Sequence, residues 1–167
     1  AGIDDAIERL NDVIADIRSY ILNLRTRRFA GQELAAGLEL LVREVRAHSF
    51  LNVQVHIDPA ASERITPAQA SEILHIAQEA LTNVRKHARA TTVRIELLAR
   101  DAHVMLRISD NGSGFDLASS TDDPGNGLHN MRARAASLSG QIDVHSSPRD
   151  GTSVTIAVPV AQDHSQD

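Results

Sequence analysis

Apolar residues recur near the start of the chain at Ile3, Ile7, Leu10, Ile14, Ile17, Ile21 and Leu24, spaced 4-3-4-3-4-3. This is the a/d pattern of a coiled-coil helix, with Asp, Glu, Arg and Asn on the faces between. The stripe is narrower than a helix needs to cover a globular core. It therefore predicts one helix of a dimerisation bundle rather than a helix packed on its own domain. The run from Arg25 to Gly31 breaks the period, which bounds the helix at 1–28 and a linker at 29–32.

From residue 33 the pattern changes. Leu34, Leu38, Leu41, Val42 and Val45 place a helix over 33–48, and Val53, Val55 and Ile57 alternate as in a strand over 52–57. Asp58-Pro59 reads as a turn. Thr66-Pro67 opens a helix running to Ala88, with Thr66 as N-cap and Pro67 at the first helical position. Strands follow at 92–99 and 103–109, then a polar, glycine-rich stretch over 110–127. A helix over 128–138, ended by Gly140 as a C′ glycine, leads to strands at 141–146 and 152–159. The tail 161–167 is polar and is expected to fray. Hairpin-linked strands interspersed with helices predict an α/β two-layer sandwich over 33–160, its sheet mostly antiparallel with the helices on one face.

Composition narrows the picture. Aromatic residues make up 2% of the chain, so its core must be built from Ile, Leu, Val and Ala. There are no cysteines, which removes disulfides, thiolate chemistry and Cys-based zinc sites and fits a reducing cytoplasm. No apolar run is long enough for a membrane span, and the N-terminal residues do not form a secretory signal. The net charge of −5 argues against direct nucleic-acid binding. An anionic nucleotide would likewise need local donors, a helix N-terminus or a metal.

Candidate chemistry sits in four places. Glu79, Asn83 and His87, at i, i+4 and i+8, line one edge of their helix, beside an apolar stripe of Ile73, Ile76, Ala77, Ala80, Val84 and Ala88. A carboxylate and an amide so aligned can share a hydrated magnesium ion, and Lys86 can reach a phosphate oxygen. A solvated helix edge explains the same residues. Asp110 ends a strand ahead of Gly112 and Gly114, whose backbones can turn with positive φ and approach a ligand closely. Its carboxylate can accept from an exocyclic amine such as that of adenine, or simply cap the turn. Gly125-Asn126-Gly127-Leu128 enters a helix, where free backbone N–H groups suit phosphate. Gly151-Thr152 opens the last strand, where the hydroxyl can face a base. The Gly-Lys-Ser/Thr of a P-loop and the βαβ setting of a Rossmann fingerprint are both missing.

In this order the four signals resemble the ATP-binding domain shared by gyrase-type ATPases, Hsp90, MutL and histidine kinases, the Bergerat fold. Glu79, Asn83, Lys86 and His87 match its N box, and Asp110 to Gly114 its G1 box. Gly125 to Gly127 match the G2 box, and Gly151-Thr152 the closing Gly-Thr element. The resemblance implies ATP and Mg2+ as ligands, Asn83 on magnesium, Asp110 on the adenine amine, and an ATP lid over Phe115 to Pro124.

The stretch from Gln78 to Ala90 further resembles the N box of NarL-type sensor histidine kinases. Ile14 to Arg25 is similar to the end of their second dimerisation helix. The subfamily implies a homodimer through the N-terminal helix, a response regulator as partner and an upstream sensor, membrane-anchored or soluble. It also implies transfer of the γ-phosphate to a histidine followed by an acid. None of the eight histidines is followed by an acid. The chain is thus expected to be a C-terminal fragment that binds ATP without phosphorylating itself. A gyrase-like ATPase fits the Glu79–Asn83 spacing too, as does an anti-sigma-type serine kinase. A degenerate scaffold would not need Asn83, Asp110 and the glycines together.

Overall fold

A computed structural model of the protein describes residues 33–117 and 127–160, together with Ile7, Leu10, Val13 and Ile14. Those four are helical and exposed. The rest of the heptad helix, the linker, most of the lid and the tail lie outside the described residues.

Helix α1 (Glu33–His48) buries the five apolar positions its pattern marks, each 4% exposed or less. Strand β1 (Asn52–Ile57) follows, then a short helix α2 (Pro59–Glu63) where the sequence reads as a turn. Asp58 makes the difference. Its Oδ1 accepts from the Ala60 N–H at 3.0 Å, capping a helix that Pro59 starts. Helix α3 (Pro67–Asn83) begins with a complete capping box between Thr66 and Gln69 and continues as a π-helical turn, Val84–Ala88. Thr66→Ala should cost about 1 kcal/mol of stability in a denaturant titration, since it removes the cap from the Gln69 N–H.

Strands β2 (Thr92–Arg100) and β3 (His103–Asp110), helix α4 (Gly127–Ser137), and strands β4 (Gln141–Ser146) and β5 (Thr152–Pro159) complete the elements of the described residues. The five strands form one sheet in the order β1-β2-β3-β5-β4. β1 pairs parallel to β2 and every other pairing is antiparallel. Parallel neighbours need a crossover, and α2 and α3 supply it.

Val93, Ile95, Leu97, Val104, Leu106, Ile108, Val154, Ile156 and Val158 face the helices and are buried. The alternate residues carry polar groups on the other face. There Arg94 donates to Gln54 Oε1 at 3.1 Å and Arg107 to Ser153 Oγ at 3.2 Å. The buried core is aliphatic apart from Met131, as the lack of aromatics requires. α1 meets α3 closely at Gly37, where a Cβ would stand 3.2 Å from Leu74 Cγ.

The end of α4 corrects one expectation. The left-handed position is taken by Ser139 (φ 52°), and Gly140 is the following residue, donating to Ala135 O at 2.9 Å. This is a Schellman ending with serine at C′. Gly140 has a different reason to be glycine, because a Cβ there would lie 2.8 Å from Ala157 O.

Candidate functional site

The apolar stripe of α3 is buried as expected, leaving Glu79 and Asn83 half-buried along its flank. Lys86 and His87 lie beyond them, exposed, on the π-helical turn. A π turn holds more residues than an α turn, so His87 is rotated off the line that Glu79 and Asn83 share. The i+8 alignment read from the sequence assumes an α-helix to Ala88 and does not hold past Asn83. The turn ends at Arg89, a non-glycine residue in the left-handed region (φ 50°).

Close backbone contacts bring the first glycine loop to this end of α3. Ser113 N donates to Ala88 O at 2.6 Å, and a Cβ at Gly112 would stand 2.7 Å from Ala88 Cβ. Gly114 (φ +58°) needs glycine for its conformation and for space, since a Cβ would lie 2.9 Å from Gly151 O. Gly151 (φ +75°) lies as close to Asp110, and Arg149 N donates to Ser113 O at 2.6 Å. The Asp110–Gly114 loop is thus clamped between the end of α3 and the β4–β5 turn.

Asp110 is the last residue of β3, paired with Val93 of β2 and Thr152 of β5. Burial pushes its carboxyl above the usual carboxylate range, against hydrogen bonds from the Gly112 and Thr152 backbones that pull it down. The Gly112 N–H donates to Oδ1 at 2.7 Å. The Thr152 hydroxyl is 2.9 Å from Ser146 Oγ, which also accepts from Phe115 N at 3.0 Å.

Two residues escaped the sequence reading. Asn111 Oδ1 accepts from both Thr91 N (3.0 Å) and Thr92 N (2.9 Å), tying the loop to the start of β2. Ser146 joins the start of the lid to the Gly151-Thr152 turn. Asn111 sits in an Asp-Asn-Gly run that reads as an ordinary turn, and Ser146 reads as a plain strand end, because its link to Phe115 comes from 31 residues earlier in the chain.

On the far side, Gly127 is the first residue of α4, and its Cα lies against Glu79. A Cβ there would be 2.9 Å from Glu79 Cδ and 3.2 Å from Cγ. Leu128 is buried, so its side chain serves the core. Arg134 ties α4 to α3 through Glu72 at 2.7 Å. Burial, and then Arg134, hold the nearby His75 below the usual imidazole range, with Glu72 opposing them. Gly125 lies outside the described residues, as does the lid past Leu117.

Among the described residues a concavity of about 400 Å³ also opens beside Asp110 and Thr152. It is lined by Arg107, Ser109 and Ser153 and by nothing from α3, so it lies toward the helix-free face.

The Asp110–Gly114 loop and the first residue of α4 thus both abut the C-terminal half of α3 and its π turn, with the carboxyl of Asp110 at the adjoining strand end. The family model described as histidine kinase-, DNA gyrase B- and HSP90-like ATPase matches residues 68–162. The chain belongs to that family.

Among characterised relatives, this ATPase-family chain is 30% identical to the signal transduction histidine-protein kinase/phosphatase DegS of Brevibacillus brevis. That match covers 95% of this chain and 42% of DegS. It is 29% identical to the sensor protein VraS of Staphylococcus saprophyticus, over 99% of this chain and 48% of VraS. The chain thus spans less than half the length of these relatives. In fold it resembles the blue-light activated histidine kinase of Erythrobacter litoralis EL346, at TM-score 0.71 and 18% identity over 94% of this chain and 57% of that one. It also resembles the Acinetobacter baumannii histidine kinase AdeS, at TM-score 0.66 and 17% identity over 95% of this chain and 82% of that one. The two-layer architecture, with helices on one face of the sheet, is the fold of this ATPase family.

Proposed function

We propose that the chain is the catalytic ATP-binding part of a NarL-type sensor histidine kinase. The observation that supports this reading is that the Asp110–Gly114 loop packs on Ala88, just past Asn83, while the first residue of α4 packs on Glu79 of the same helix.

In this reading Asp110 accepts a hydrogen bond from the adenine amine, and the Thr152 hydroxyl faces the base. Gly112 and Gly114 line the base end of the site, and their lack of side chains lets the loop that carries Asp110 close on Ala88 and the β4–β5 turn. Lys86 and His87, the Gly125–Gly127 turn and the Leu128 main chain serve the phosphates. Asn83 and Glu79 offer the hard oxygen ligands that Mg2+ prefers, and a bound ion would neutralise phosphate charge.

The acceptor imidazole, carried upstream of this chain, attacks the γ-phosphorus in line. A nitrogen–phosphorus bond forms as the bond to the β-phosphate oxygen breaks, and ADP leaves with the electron pair. Glu79 takes the imidazole proton. The phosphoryl group then passes to an aspartate of a response regulator. Residues 1–28 complete the bundle that makes the kinase a homodimer, residues 29–32 are the linker, and 33–160 work in the cytoplasm below a sensor. No described helix is long and apolar enough to cross a membrane.

The test is to supply the upstream residues and incubate with Mg-ATP. Acid-labile phosphohistidine is expected, and Asn83→Ala should abolish both it and magnesium-dependent ATP affinity. Steady hydrolysis without phosphoprotein would instead favour the gyrase-like ATPase that the Glu79–Asn83 spacing also allows.

A further inference from the structure

The two ends of the candidate site are fastened differently. The Asp110–Gly114 loop is held through Ala88, Thr91, Thr92 and Arg149, and none of these lies in α4. The other end depends on α4. That helix has 11 residues and buries Leu128, Met131 and Ala135, whereas α1 buries five leucines and valines. An isolated helix of that length is marginal in water, so α4 persists through its docking.

Two contacts set that docking along α3. Gly127 packs against the Glu79 side chain, and Arg134 Nη1 donates to Glu72 Oε2 at 2.7 Å. Seven residues separate the two positions on each helix, so α3 and α4 run antiparallel and touch at levels about 10 Å apart. The ion pair is partly sheltered, its side chains 40% and 31% exposed. His75, one turn along α3 from Glu72, is held below the usual imidazole range by burial and then by Arg134. At neutral pH it is therefore uncharged and does not compete with Arg134 for Glu72.

We propose that Glu72 and Arg134 are positioning residues for the phosphate end of the site. Their ion pair holds Gly127 against Glu79, and so fixes the edge that Glu79 and Asn83 present to magnesium. The inference rests on the function proposed above, in which the base meets Asp110 and the phosphates and their ion meet that edge. Neither residue of the pair touches the nucleotide; both act through α4. Without the pair, three buried side chains hold the helix, and it spends part of its time away from α3. Apparent affinity for a ligand that needs the docked state then falls with the docked fraction. A ligand that uses the base end alone does not sense the change.

The test uses the whole chain well below its melting temperature, where a loss of global stability leaves the folded fraction unchanged. Calorimetry with Mg-ATP, and displacement of bound ATP by adenosine, compare the wild type with Glu72→Gln, Arg134→Gln and the double variant. Mg-ATP should bind roughly two- to fivefold more weakly to each single variant, and adenosine equally to all. The double variant should bind Mg-ATP no more weakly than the weaker single one, because the two residues act as a unit.

Unchanged Mg-ATP affinity in the single variants overturns the positioning role while the nucleotide site stands. Adenosine weakened in step with Mg-ATP overturns it too, since the pair then supports the fold alone. Losses that add in the double variant overturn the pairing. A wild type that does not bind Mg-ATP overturns the nucleotide reading, and this inference with it.

Discussion

Asp110→Asn is expected to weaken ATP binding by roughly thirty- to 150-fold while leaving the nucleotide-free protein at least as stable as the wild type at neutral pH. The affinity loss follows from exchanging a charged acceptor for an amide opposite the adenine amine, a change of about 2–3 kcal/mol. The stability effect has the opposite sign because Asp110 ionises in a half-buried position that pushes its carboxyl upward. A raised carboxyl pKa means that the folded state holds the proton longer than the unfolded chain. Its contribution to stability is therefore largest below the ordinary value of 3.8 and is lost as pH rises from there through the raised folded value. Asparagine does not titrate, and its Oδ1 can still accept from Gly112 N. Melting curves between acid and neutral pH should show the variant gaining on the wild type as pH rises. A variant less stable than the wild type at pH 7 would contradict this, as would unchanged affinity in calorimetry.

Gly114→Ala carries the second large effect, and it acts on the fold and the site together. Alanine at φ +58° costs about 1–2 kcal/mol in backbone conformation. Its methyl group would also press on the Ser147 and Gly151 carbonyls, which are backbone and cannot rotate away. Overpacking of that kind adds about 1–3 kcal/mol. A fall in melting temperature of roughly ten degrees or more is expected for a domain of this size. The loop it distorts is clamped between Ala88 on one side and Arg149 on the other, so ATP affinity should fall as well. A variant that melts and binds like the wild type would show that the β4–β5 turn yields without cost.

Both predictions rest on residues that stand out in the sequence, whereas their reasons do not. Asp110 is visible as an acid at a strand end before two glycines. Its raised pKa needs β2, β5 and the β4–β5 turn packed around it, and its β5 partner Thr152 is 42 residues away along the chain. Gly112 and Gly127 look alike as loop glycines. One is small because of a backbone carbonyl, the other because of a glutamate side chain 48 positions earlier. Local pattern marks where a small residue stands, and only the partner says why.

The periodicity of apolar positions determined most of the fold. β1, β4 and β5 lie at their predicted bounds, and α1 buries the stripe its spacing marks, because period 2 and period 3.6 are local geometric properties of the chain. The order of acid, amide and glycine signals likewise determined the family, since each depends on residue type and spacing alone.

What only the tertiary structure decided is everything that depends on a distant partner. The parallel pairing of β1 with β2, the short helix at Pro59 and the π turn that rotates His87 away from Asn83 all lie outside what a single segment's pattern encodes. Ser139 takes the left-handed position expected of Gly140, and Gly140 instead lies close to a β5 carbonyl. Asn111, Ser146 and the Glu79–Gly127 contact belong to the same class: the residues are legible in the chain, but their partners exist only once the sheet and helices have closed.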